Sequence, residues 1–144
     1  MFFKDNITLY NACYNKEFGV NEYFKTYLVG VDWQGQQNIN VTDKGIISAD
    51  SVKIIIPFLV ASKNKEYITP KEFERLDNAE KEKYFTFNNN DKIVKGLIDF
   101  DIDSKNGKTI KILENLYSDV ININSIITHD FGSLSMRSWE IGGI

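Results

Sequence analysis

Short runs in which apolar and polar residues alternate dominate the chain, and a period of two is the signature of a strand with one buried face. In "NITLYNACY" the alternate positions Ile7, Leu9 and Asn11 share a face. In "YFKTYLVGVDW" Phe24, Thr26, Leu28 and Gly30 fall on one side, with Tyr23, Tyr27, Val29, Val31 and Trp33 mostly on the other. "SVKIIIPF" is rich enough in β-branched residues to predict a buried strand, but Pro57 lacks an amide hydrogen and limits it to an edge, a bulge or a strand end. "DKIVKGLIDFDI" and "DVININSIIT" supply two more alternating runs, and "SMRSWEIGG" predicts a last short strand.

Helical signals interrupt this pattern. "TPKEF" puts Thr69 at an N-cap, Pro70 at the first helical position and Glu72 where its carboxylate can reach back to the cap amide. "DNAEKEKYF" repeats the arrangement with Asp77 and Glu80, so residues 70–83 predict one bent helix or two short ones. A third helix is expected over Thr109 to Tyr117, where Ile110, Leu113, Leu116 and Tyr117 make one apolar stripe. Between Trp33 and Ser51, "QGQQNINVTDKGIISAD" has little apolar periodicity and reads as a long loop or an extended hairpin arm. Connections beyond about 12 residues are uncommon in compact domains and are often functional. The expected fold is mainly β: a small barrel or sandwich with a long loop and two or three short helices, forming one domain over residues 1–144.

Composition narrows the function classes. A chain of 144 residues, 42% hydrophobic and 13% aromatic, has enough apolar material for one core, which argues against disorder. With 17 basic and 20 acidic side chains the net charge is -3, so no global positive field exists to hold phosphates, and nucleic-acid binding as the main task is disfavoured. Cys13 is the only cysteine, which excludes an internal disulfide and a thiolate metal cluster and fits synthesis in a reducing cytosol. The start "MFFKDNITLY" lacks the features of a secretory signal, and the longest apolar run, "IIIPFLVA", falls far short of the roughly 20 residues needed to span a bilayer.

Chemistry-bearing clusters are sparse. His129 and Cys13 are the sole His and Cys; a His in "THDFGS" reads as a turn or interface residue. Asp99, Asp101 and Asp103 in "DFDIDSKNG" suggest calcium, but a binding loop starting at Asp99 needs glycine at its sixth position and glutamate at its twelfth, where Ser104 and Ile110 stand. That stretch reads instead as a strand with a solvated acidic face before a turn. "NGKT" at Asn106 to Thr109 lacks the first glycine of a phosphate loop, since Ile102 occupies its place. No enzyme activity, cofactor or metal site is expected.

Six phrases in order, "NITLYN", "GVDWQ", "ADSVKIIIPF", "YITPKEF", "DKIVKG" and "FGSLSMRSWEIGG", span nearly the whole chain. Together they resemble a little-characterised family of tailed-bacteriophage proteins encoded among the head-to-tail connection genes of phages of Gram-positive bacteria. The resemblance implies a stopper, or head-completion, protein: a small β-barrel that forms a ring in the virion neck, closes the DNA channel after packaging and docks the tail. A tail-terminator or tail-completion protein, and an assembly factor absent from the finished particle, are the alternatives. The implied partners are further copies of the chain in a ring of six, the portal adaptor, a tail-terminator or tail-tube protein, and packaged double-stranded DNA in passing, with no membrane. On this reading Gln34, Gln36, Gln37, Asn38, Asn40 and Lys44 face the channel, where neutral amides offer hydrogen bonds to DNA without the electrostatic trap of a lysine ring. Arg137, Trp139 and Glu140 would form a C-terminal anchor or interface, with Trp139 buried, Glu140 toward water, and Gly142 and Gly143 allowing close backbone approach.

Overall fold

A computed structural model describes residues 3–15, 19–42, 45–103 and 106–144, with backbone alone for residue 15 and residues 36–50. In chain order the elements are β1 (Asp5–Asn15), β2 (Val20–Thr42), β3 (Gly45–Pro57), β4 (Glu66–Tyr67), α1 (Pro70–Arg75), α2 (Asn78–Lys81), β5 (Tyr84–Phe85), β6 (Lys92–Lys95), α3 (Ile110–Leu116), β7 (Val120–His129) and β8 (Ser138–Gly143). The fold is mainly β. Six strands run in the order β1-β2-β3-β8-β7-β6, and β6 pairs back onto β1, so the antiparallel sheet closes on itself. Closure passes through short ladders, Ile7↔Lys95 to Tyr10↔Lys92 on one side of β6 and Lys92↔Asn122 to Val94↔Val120 on the other. That side of the barrel is the most thinly stitched.

The interior is filled by the alternate residues that period-two reading selects, among them Ile7, Leu9, Ile54, Ile56, Ile93 and Ile141, all fully buried. Two bulges break the alternation. In β2 the register passes from Asn6↔Val29 to Asp5↔Val31, leaving Gly30 as an extra residue with φ +93°, a backbone state that favours glycine. Leu28 and Val31 are both buried as a result, although three positions apart. In β7 the register passes from Ile123↔Gly143 to Ser125↔Gly142 around Asn124, so Ile123 and Ile126 both meet the core while Ile127 is exposed.

β1 is buried on both faces. Behind it Tyr10, Val94, Phe100 and Leu113 form a second apolar cluster under α3. The Tyr10 hydroxyl donates to the Phe100 carbonyl at 2.5 Å, and Thr8 Oγ1 donates to the Gly96 carbonyl at 2.8 Å. The run expected to continue as strand through Ile102 therefore leaves the sheet after Lys95 at Gly96, whose φ is +94°, and lies over β1 instead.

Residues 70–83 form two short helices. Thr69 caps the first, accepting from Glu72 N, although the Glu72 carboxylate receives the Thr69 hydroxyl proton rather than the cap amide. Asp77 caps the second through Glu80 N at 2.9 Å. These helices link β4 to its parallel partner β5, and the excursion delivers Tyr67, Phe85 and Phe87 to the barrel core. The stripe expected on α3 is narrower than its spacing suggests: Leu113 is buried, but Leu116 is largely exposed. Among the described residues no helix is long and apolar enough to cross a membrane.

Candidate assembly surfaces: the hairpin arm and the terminal strand

The segment after Trp33 is a hairpin, not a loop. Its register is unbroken from Asp32↔Ile55 to Thr42↔Gly45. β1 accompanies β2 no further than Val31, and β8 accompanies β3 only from Val52 onward. Gln36–Thr42 and Gly45–Ser51 continue the β2–β3 register beyond the last positions of β1 and β8, forming a two-stranded ribbon that extends about 23 Å past the barrel. Where β1 gives out, Asp5 Oδ2 accepts the Trp33 amide at 3.0 Å. Strand alternation puts Gln34, Gln36, Asn38 and Asn40 on one side of the ribbon and Gln37 on the other. Gln34 Nε2 donates to Asp32 Oδ2 at 2.6 Å. Lys44 lies outside the described residues.

The terminal strand is locked into the sheet, with β3 on one side and β7 on the other. Trp139 is 4% exposed, and its ring lies 4.3 Å from that of Phe58, 4.5 Å from Tyr67 and 5.3 Å from Phe87. On the opposite face Glu140 meets Lys53 at 2.7 Å. Lys53 is the register partner of Gln34, so the expected anchor and the root of the arm meet across β3. The Arg137 carbonyl accepts the Phe58 amide at 3.0 Å, tying the start of β8 to the end of β3, where Pro57 closes the strand. The paired glycines have a steric reason: a Cβ on Gly143 would come within 2.6 Å of the Asn122 carbonyl and of Ile121 Cδ1, and one on Gly142 would strike Ser125 Oγ beside the bulge.

Two features escaped sequence reasoning. The β7–β8 connection exposes Phe131, Leu134 and Met136, with Leu59 also exposed after β3. Leu134 joins Phe58, Tyr67 and Trp139 along a cleft of about 530 Å³. The signal was apolar residues set in the loop-like composition "DFGSLSMR". The other is Asp91, 2% exposed, which accepts Ala12 N at 3.0 Å, Asn11 Nδ2 at 2.8 Å and Asn88 N at 3.1 Å. Burial outweighs these donors and pushes its carboxyl up to about 6. Its place closing "NNND", with Asn90 at φ 74°, marks a polar turn that pins β1 to β6 and β7.

The remaining candidates separate. Burial pushes the Cys13 thiol up, against the opposing effect of its neighbour Lys81, whereas His129 sits edge-on to Phe131 with ring centres 5.9 Å apart. Asp99 and Asp101 are not on a strand; they flank Lys25 at 3.4 and 3.0 Å, and the backbone of Asp103 exchanges hydrogen bonds with that of Lys108. Among the described residues no three His, Cys, Asp or Glu side chains are grouped to hold a metal.

Fold and surfaces define a closed, mainly β domain with a projecting two-stranded arm and an exposed apolar end. The chain belongs to a family of unknown function, DUF6751, which it matches over residues 2–144. No curated protein and no solved structure matches it.

Proposed function

We propose that this chain is a structural, non-enzymatic component of a phage neck, a stopper-like ring between the portal adaptor and the tail. The observation that carries the reading is the arm: a ribbon that continues the β2–β3 register beyond the last positions of β1 and β8, rooted on a strand held firmly between β2 and β8. A two-stranded ribbon is at best marginally stable in water, and its edges are templates for pairing, so such an element is suited to contacts beyond its own domain. The order of the phrases quoted from the sequence supplies the phage context. In the proposed ring of six, the amides of Gln34, Gln36, Asn38 and Asn40 line the channel and touch packaged DNA in passing, while the barrel bodies dock the adaptor above and a tail protein below. Gln37 belongs to the other side of the ribbon.

The test is the protein inventory of purified particles of a phage that encodes this chain. Mass spectrometry is expected to find it in the low copy number of a neck ring, and cryo-EM of the neck to place the arm at the lumen. Particles that lack the chain would overturn the reading, and an arm on the outer surface would remove the channel role.

A further inference from the structure

One row of residues that faces into the barrel ends on a charge. After the bulge in β7 the inward positions are Ile126, which packs on the core, and Thr128, the register partner of the buried Trp139. Alternation carried one residue past the end of β7 places Asp130 on the same face. Deeper in the barrel this wall is apolar, built from Ile123, Ile141 and Ile56. Among the described residues no Lys, Arg or His forms an ion pair with Asp130.

Asp130 borders the cleft of about 530 Å³ that opens where these strands end. Trp139 is its most deeply buried lining residue, and the partly buried rings of Phe58 and Tyr67 pack on the indole at 4.3 and 4.5 Å. Leu134 adds an aliphatic side. Thr69 also reaches the cleft, but its hydroxyl is engaged with Glu72 at the cap of α1. No lining residue is cationic.

Ligand sites favour this setting: the mouths of β-barrels, apolar walls with a few placed polar groups, and volumes of about 300–1,000 Å³. The lining also selects by charge. A carboxylate attracts a cation, and aromatic rings accept one through their negative faces. An anion would meet repulsion from Asp130 with no basic side chain to offset it.

We propose that the mouth of the barrel binds a small organic cation, with an ammonium or guanidinium group at Asp130 and an aromatic or alkyl body against Phe58, Tyr67 and Leu134. The site is independent of the neck reading, since it uses the end of the barrel where β3 and β7 finish and requires no second copy of the chain.

The probe is phenethylammonium, titrated into the isotope-labelled full chain at neutral pH while the tryptophan indole N–H signals are followed by NMR. Trp33→Phe assigns them. The Trp139 signal is expected to move saturably with a Kd on the order of 1 mM, as befits a fragment of this size. The signal of Trp33, which does not line the cleft, should stay in place. Phenethyl alcohol, the same body without the charge, should bind about fivefold more weakly, and the anion hydrocinnamate more weakly still. Asp130→Asn, at an exposed position, is expected to keep the wild-type melting temperature and to lose the preference for the cation over the alcohol. No saturable shift at Trp139, equal binding of the three probes, or an unchanged preference in Asp130→Asn would overturn the site. A light-scattering mass that falls as the probe saturates would show that a side chain of a second copy fills the cleft, and would overturn the assignment to a small molecule. The particle inventory decides the neck reading separately, so either can fail while the other stands.

Discussion

Replacing Trp139 with alanine tests the central packing claim. The indole lies between the register partners Ile56 and Thr128 and is enclosed by Phe58, Tyr67 and Phe87, with ring centres between 4.3 and 5.3 Å away. These neighbours come from the end of β3, from β4 and from the turn after β5, so the void left by the substitution cannot be filled by one side-chain shift. Truncating a buried Phe or Trp to alanine costs about 3–5 kcal/mol when the site collapses poorly. At roughly 2–4 °C per kcal/mol for a chain of this size, the melting temperature should fall by about 6–20 °C. The assay is thermal unfolding followed by far-UV circular dichroism, with urea melts to obtain free energies. Glu140→Ala is the internal control, since it is next along the strand, faces outward and forms only a partly exposed ion pair with Lys53, so less than about 1 kcal/mol should be lost. A Trp139→Ala protein within 1 kcal/mol of wild type, or the two variants falling equally, would refute the packing account.

Asp91 should titrate near pH 6 by carboxyl NMR. Its folded value lies above its unfolded one, so the stability it contributes is fully present below about pH 4 and lost as pH rises through 6. The loss is about 3 kcal/mol by linkage and shows as the difference in pH dependence between wild type and Asp91→Asn. That variant should also be destabilised at every pH, because one acceptor oxygen facing backbone and Asn11 donors becomes an NH₂ group. Gly143→Ala should cost roughly 1–3 kcal/mol, since its Cβ meets backbone; Gly142→Ala should be largely rescued by Ser125→Ala, a coupling read from a double-mutant cycle in urea. Deleting residues 138–144 removes a strand paired on both sides and should do at least as much damage as Trp139→Ala; a truncated protein with unchanged melting temperature would show the strand to be expendable.

The local elements were legible because their causes are local. Alternation in "NITLYN", the β-branched run "KIIIPF" with Pro57 at its end, and the caps at Thr69 and Asp77 follow from backbone geometry within a few residues and stand where they were expected; the third helix begins one residue later than expected, with Thr109 as its cap. The hairpin arm was half-legible, since its register needs only the β2–β3 pairing, but its sequence does not distinguish a ribbon from a loop. Barrel closure decided the rest. It makes β6 short, because the chain after Gly96 is drawn onto the back of β1, where Tyr10 gains a cover that no period-two rule foresees. It also sets the bulges at Gly30 and Asn124, which reverse which residues face inward partway along β2 and β7. The reason is that alternation specifies two faces without saying which one finds a partner. That choice, the depth at which Asp91 loses its water, and the bare backbone required at Gly142 and Gly143 depend on segments far apart in sequence that meet only when the sheet closes.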